Sequence, residues 1–203
     1  DLDRIFGANI YYDFDESDND NSFDQVGFGI ETLGEVLDAR ANGYVPSNED
    51  GNFIRVTGLT NELVFFSNRL GFLGTQLSEQ AMPGGDGEVG IPLAPNAPWL
   101  RGYVGGYGYR RNNGDMIGGF RARIEGWVNS NLSLGTMVTT DNFFGTNVNF
   151  IADWRFPGFQ PKSKFPQFST RESMLMPVQR HWRITVGEYE EIGQFAANNP
   201  RDG

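Results

Sequence analysis

From Gly114 to Phe156 the chain reads GDMIGGFRARIEGWVNSNLSLGTMVTTDNFFGTNVNFIADWRF, three successive runs in which apolar and polar side chains alternate. In the first, Met116, Phe120, Ala122, Ile124 and Val128 share one parity, and Arg121, Arg123 and Glu125 the other. The second sets Leu132, Leu134 and Val138 against Ser133, Gly135, Thr139 and Asp141. The third sets Val148, Phe150, Ala152, Trp154 and Phe156 against Asn147, Asn149, Asp153 and Arg155. A period of two sends such sets to opposite faces of a pleated sheet. Two arginines and a glutamate on one strand face cannot line a dry core unless they are paired. That face therefore meets water or opposite charge. The other face is apolar over about nine to eleven residues, the length with which a tilted strand crosses a bilayer. Apolar outside and polar inside is the pattern of a membrane barrel.

Composition agrees with a sheet protein. Among 203 residues, 27 are glycine and 14% are aromatic, with Phe the leading aromatic type, which suits tight turns and close strand contacts. No run of about eighteen apolar residues exists, so no transmembrane helix is expected. A membrane barrel would not show one, because alternation dilutes its hydrophobicity. The absence of cysteine excludes a disulfide framework and thiolate metal sites. A net charge of −10 argues against a nucleic-acid partner, which needs clustered Lys and Arg. The start, Asp1-Leu2-Asp3-Arg4, has neither a charged n-region nor an apolar h-region; if the protein is exported, its signal is expected upstream.

Further alternating runs lie toward the N-terminus. Arg4–Phe14 carries Phe6, Ala8, Ile10, Tyr12 and Phe14 on one face. Phe23–Leu33 carries Val26, Phe28 and Ile30. Gly34-Glu35 reads as a two-residue return into Val36–Val45, a hairpin. Ser47–Phe66 is the least legible part, with a strand expected over Asn68–Gln76. Pro83-Gly84-Gly85-Asp86 is a strong turn signal before a strand over Gly87–Leu93. Trp99–Arg110 places Arg101, Tyr103, Tyr107 and Tyr109 on one face and Val104 among glycines on the other. Arg111–Asp115 is read as the next turn. After Phe156, Pro157 and Pro161 break the sheet. Ser169 and Glu172 have capping-box spacing for a short helix ended by Pro177. Val178–Gly203 is read as extended and then increasingly polar and disordered.

Together these motifs carry a resemblance. FGANIYYDFD (Phe6–Asp15), QVGFGIETLGEVLDARANGY (Gln25–Tyr44), EVGIPL (Glu88–Leu93), FRARIEGWVNSNLSLG (Phe120–Gly135) and PVQRHWRITV (Pro177–Val186) resemble inverse autotransporters, the family of intimin and invasin, in the form found in environmental bacteria. Ala41-Asn42-Gly43-Tyr44-Val45-Pro46 is similar to a strand end of that family. The resemblance covers most of Arg4–Val186. It implies an all-β fold, an antiparallel transmembrane β-barrel of about twelve strands at 1–157, followed at 158–203 by a linker that threads the lumen. Nine or ten strands are legible, so the missing ones are placed upstream of Asp1 rather than within Ser47–Gln80. The implied location is the bacterial outer membrane, and the implied role is to anchor and export a C-terminal surface passenger. Implied partners are outer-membrane lipid, the barrel-assembly machinery, a passenger and other envelope proteins. Export in this family draws on the free energy of folding, so no enzyme activity, catalytic residue, cofactor or metal is expected.

Candidate sites follow from the parity. Glu31, Asp38, Arg40, Arg101, Arg121, Arg123, Glu125, Asp153 and Arg155 fall on the polar parity and are expected to face the lumen, as a charge network that fills the barrel or as groups that govern passage. By resemblance, Thr170–Arg183 runs through that lumen, with Arg171, Arg180 and Arg183 meeting carboxylates such as Glu31, Asp38 and Asp153. Phe28, Ile30, Phe120, Ile124, Leu134, Val148, Phe150, Trp154 and Phe156 are expected to face lipid. Tyr11, Tyr12, Trp99, Tyr103, Trp127, Trp154 and Phe156 are candidates for interfacial girdles. Asp13, Asp15, Asp18 and Asp20 lack the glycine and terminal glutamate of an EF-hand and are read as a solvated loop. His181, the single histidine, has no second His or Cys to share a metal and no serine–base arrangement. Asn131-Leu132-Ser133 matches a glycosylation sequon by chance. Two other readings compete: a porin or structural envelope barrel without a passenger, and a soluble β-sandwich that binds polysaccharide through Tyr and Trp. The sandwich would bury Phe120, Ile124, Phe150 and Trp154 between sheets.

Overall fold

A computed structural model of the chain describes residues 4–48, 51–66, 68–111, 114–129, 131–154, 178–181 and 183–196. Those residues form antiparallel β-structure and no helix. Eleven strands are described: β1 Arg4–Glu16, β2 Ser22–Gly34, β3 Asp38–Pro46, β4 Asn52–Phe66, β5 Arg69–Ala81, β6 Gly84–Pro92, β7 Leu100–Arg110, β8 Met116–Trp127, β9 Leu132–Asp141, β10 Gly145–Trp154 and β11 Val186–Ala196. An eight-stranded sheet has the order β1-β2-β3-β6-β7-β8-β9-β10, and a three-stranded sheet the order β11-β5-β4.

Three expectations about the elements are corrected. Ser47–Gln80, expected to hold one strand over Asn68–Gln76, supplies β4 as well as most of β5, one strand more than expected. β4 is hard to read because it is irregular: its pairing with β5 shifts register at three places, and each shift resets the alternation. The C-terminal stretch read as a polar tail contains β11, which pairs with β5 from Val186↔Ala81 to Ala196↔Gly71. Finally, the return after β2 takes Glu35, Val36 and Leu37 rather than two residues, and Asp38 Oδ1 accepts the Gly34 N–H at 3.1 Å across it. The helix expected near Ser169 falls outside the described residues.

The chain divides into two compact units. One comprises Asp1–Tyr12, Val26–Val45 and Pro83–Trp182; the other comprises Asp13–Gln25, Pro46–Met82 and Arg183–Gly203. In the second unit, Phe23, Ala81 and Ile184 form a small buried cluster with Val186 against it. There Glu79, only 2% exposed, accepts hydrogen bonds from Ser17 Oγ (2.5 Å), Asn19 Nδ2 (3.0 Å) and Asn21 Nδ2 (2.6 Å). A buried carboxylate is costly unless donors satisfy it, and here the β1–β2 turn provides them.

In the first unit, strand register explains the partnership of glycine and tyrosine. Gly84↔Tyr109 and Gly90↔Tyr103 are direct partners across β6 and β7, and Tyr107↔Gly119 across β7 and β8. Each ring lies where a glycine Cβ would be: the nearest ring carbon is 2.2 Å from that point at Gly90 and 2.3 Å at Gly84 and Gly119. The missing side chains make room for rings folded flat on the sheet, an arrangement that stabilises strand pairs.

Candidate functional site

The two faces of the eight-stranded sheet differ in chemistry. On one face the alternation exposes the apolar set: Phe28, Ile30, Leu134 and Val148 are exposed, and Ile124, Trp154, Phe120 and Phe150 reach 47%, 63%, 77% and 87%. The burial that a sandwich requires of the last four is not found. Phe156 lies outside the described residues.

The opposite face gathers charge. Glu88 on β6 is its centre. Arg40 NH1 reaches Glu88 Oε1 at 3.0 Å, Arg123 NH2 at 2.5 Å, and Arg121 NH2 lies 3.5 Å from Oε2. Arg121 NH2 also meets Asp86 Oδ1 at 2.7 Å. Arg40 Nε pairs with Glu31 at 3.2 Å, Arg101 with Asp38 at 3.0 Å, and Arg123 with Glu125. The arginine heads also lie against tyrosine, with Arg123 3.9 Å and Arg40 5.5 Å from the Tyr103 ring centre. Several of these pairs join strands two apart in the sheet, such as Arg123 on β8 with Glu88 on β6. Buried charges are tolerable only with such multiple partners.

Seven of the nine charged side chains read from parity thus form or flank one network. Asp153 is exposed: among the described residues β10 is an outermost strand of its sheet; Asp153 accepts from Ser133 Oγ at 3.4 Å. Arg155 lies outside the described residues. Two central members escaped the reading. Asp86, part of a turn signal in the sequence, is a buried residue of β6, which begins at Gly84, and Glu88, within the EVGIPL motif, is buried two residues on. Stepping the strand parity back by two from Glu88 would have found Asp86.

A short segment of chain crosses this face. Asn42 Nδ2 donates to the Gln179 carbonyl at 3.3 Å, and the His181 N–H donates to Tyr44 Oη at 2.9 Å. Arg180 stands 4.1 Å from the Tyr11 ring centre, and the His181 ring meets Tyr109 edge-on at 6.4 Å. Arg180 lies over an aromatic ring, and Arg183, which is exposed, meets a carboxylate, Asp15, at 3.1 Å. That hydrogen bond and the attraction of the pair hold the Arg183 guanidinium above its ordinary pKa. Glu31 and Asp38 pair with Arg40 and Arg101 on the sheet itself. Arg171 lies outside the described residues.

A solved chain from a study of the in-meso crystallization of membrane proteins has the same fold class. It aligns with a TM-score of 0.59 and 15% identity over 92% of this chain and 75% of its own. At that identity the likeness speaks for the fold alone. No family model and no curated protein matches the sequence.

The remaining candidates divide by exposure. Tyr12 and Trp154 are exposed on the apolar side and remain available for a girdle, whereas Tyr103 and Trp127 are buried on the other face and are not. Trp127 pairs with Ser133, whose side chain is likewise buried. Asp13 and Asp15 belong to β1, with Asp13 buried near Gln25, and Asp18 and Asp20 sit in the turn held by Glu79. Among the described residues no three His, Asp or Glu are placed to hold a metal.

Proposed function

We propose that this chain is an outer-membrane β-barrel of the inverse-autotransporter type that anchors a C-terminal passenger and exports it to the cell surface. The observation that carries the membrane part is the inversion of the usual burial order along β8: Phe120 is 77% exposed while its neighbours Arg121 and Arg123 are drawn into a paired network. In water such a surface would associate or precipitate; in lipid it is the stable outer face, and the charged face becomes the lining of a wet interior. The solved membrane-protein chain of similar fold supports the same reading. The anchoring and export part rests on the resemblance of five sequence segments spread from Phe6 to Val186. Gln179–His181 supports it further, since these residues follow the eight-stranded sheet in sequence and lie against its charged face. Outer-membrane lipid and the barrel-assembly machinery are the partners this role requires.

The test appends an epitope tag after Gly203 and expresses the protein with an export signal. The tag should become accessible to protease on intact cells, and the unboiled protein should migrate faster than the boiled one on a gel. A protein recovered in the soluble fraction without detergent would remove the membrane reading. A barrel whose tag stays inside would remove the export reading and leave the barrel.

A further inference from the structure

The contacts on Gln179–His181 have a property that the charged network lacks: the two hydrogen bonds go to the main chain of the segment. Asn42 donates to the carbonyl of Gln179, and Tyr44 accepts the N–H of His181. In an extended chain, C=O of residue i and N–H of residue i+2 point to the same side. Asn42 and Tyr44 are themselves two apart on β3, with Gly43 between, so their side chains present one donor and one acceptor at that spacing.

Asp86 fixes which group donates and which accepts. Tyr44 Oη donates its single hydrogen to Asp86 Oδ2 at 2.5 Å, which leaves the oxygen lone pairs for an incoming N–H. Asn42 Nδ2 donates one hydrogen to Asp86 Oδ1 at 3.3 Å, which orients the amide and aims its second hydrogen at a carbonyl. Arg121, 2.7 Å from the same carboxylate, helps hold Asp86 in place. All three polar side chains are buried, and Tyr44 is only 2% exposed. The side chains of the segment meet tyrosine rings, which accept a cation, an imidazole or an apolar group alike: Tyr11 under Arg180 and Tyr109 beside His181.

We propose that Asn42 and Tyr44, oriented by Asp86, form a peptide clamp that reads the main chain of an extended polypeptide regardless of its side chains. Its resting occupant is Gln179–His181. The further role rests on the export reading: during passage the same pair would hold successive segments of the chain, because any residue except proline offers the same two groups. This is a binding site for extended polypeptide on the polar face, made by β3 and set by β6.

The test uses the full chain in detergent and needs no export. Because the sequence has no cysteine, Gln179→Cys gives a thiol that reports alone. Its reaction rate with a water-soluble maleimide measures how long the segment stays docked. Tyr44→Phe and Asn42→Ala should each raise that rate roughly three- to tenfold, as loss of one hydrogen bond implies. Arg180→Ser with His181→Ser removes two ring contacts but leaves the main chain untouched, so it should raise the rate less than Tyr44→Phe does. His181→Pro deletes the N–H together with the imidazole, which the double Ser variant also removes, so the excess of its rate over that variant's reports the lost N–H and keeps the proposal testable even where a β3 variant fails to fold. If the double Ser variant releases the segment as fully as Tyr44→Phe, recognition is by side chains and the clamp is wrong. If the rate of His181→Pro does not exceed that of the double Ser variant, it is equally wrong. Failure of surface exposure in the tag assay, by contrast, would remove the export role and leave the clamp standing.

Discussion

Glu88 and Gly119 show how single residues set the charged face. Glu88 is the shared partner of Arg40, Arg121 and Arg123, so Glu88→Ala leaves three guanidinium groups crowded together with a carboxylate missing. A loss of about 3–5 kcal/mol is expected, read from urea unfolding in lipid vesicles. Replacing the pair together, Glu88→Leu with Arg123→Met, should cost much less, because an absent pair leaves less charge stranded. Gly119 works by vacancy: a Cβ there would stand 2.3 Å from Cζ of the Tyr107 ring, which hydrogen-bonds Asp141 at the end of β9. Gly119→Ala should cost about 1–3 kcal/mol. The penalty should fall in a Tyr107→Ala background, where the ring is gone. The parity of Arg121 and Arg123 was legible in the sequence, but their partners were not. Which carboxylate an arginine meets depends on strand order and twist, as the pairing of β8 with β6 across β7 shows.

Elements were legible where alternation ran unbroken and obscure where it did not. β8, β9 and β10 keep a continuous register, from Trp127↔Ser133 to Gly119↔Asp141 and from Trp154↔Leu132 to Gly145↔Asp141. β4 loses it at its register shifts, and β11 is too polar to stand out. β5, between them, carries the residue that fastens the β1–β2 turn. Glu79→Ala would remove the acceptor for Ser17, Asn19 and Asn21. Amide exchange across Ser17–Asn21 should accelerate, with an overall loss of about 1–3 kcal/mol. Unchanged exchange in the turn would show that Glu79 is not its anchor.

At the scale of the molecule, the environment of the apolar face is the claim most open to measurement. Phe150 stands on that face at 87% exposure. In a bilayer, Phe150→Arg should destabilise the fold by about 2–4 kcal/mol if the residue lies near the midplane, whereas on a water-facing surface it should be nearly neutral. Urea titration in vesicles reads the difference directly.

A period of two is a local property of the chain, and it suffices to assign each residue to a face. The all-β class, the apolar set from Phe28 to Trp154 and most of the charged set were therefore written in the order of residues. Contacts between strands far apart in sequence have no such signature. Asp86 under Tyr44, Asn42 against Gln179, Glu79 beneath the β1–β2 turn and β11 along β5 arise only once strand order and register bring them together. Pairing energy depends on distance in space, which alternation along the chain does not encode.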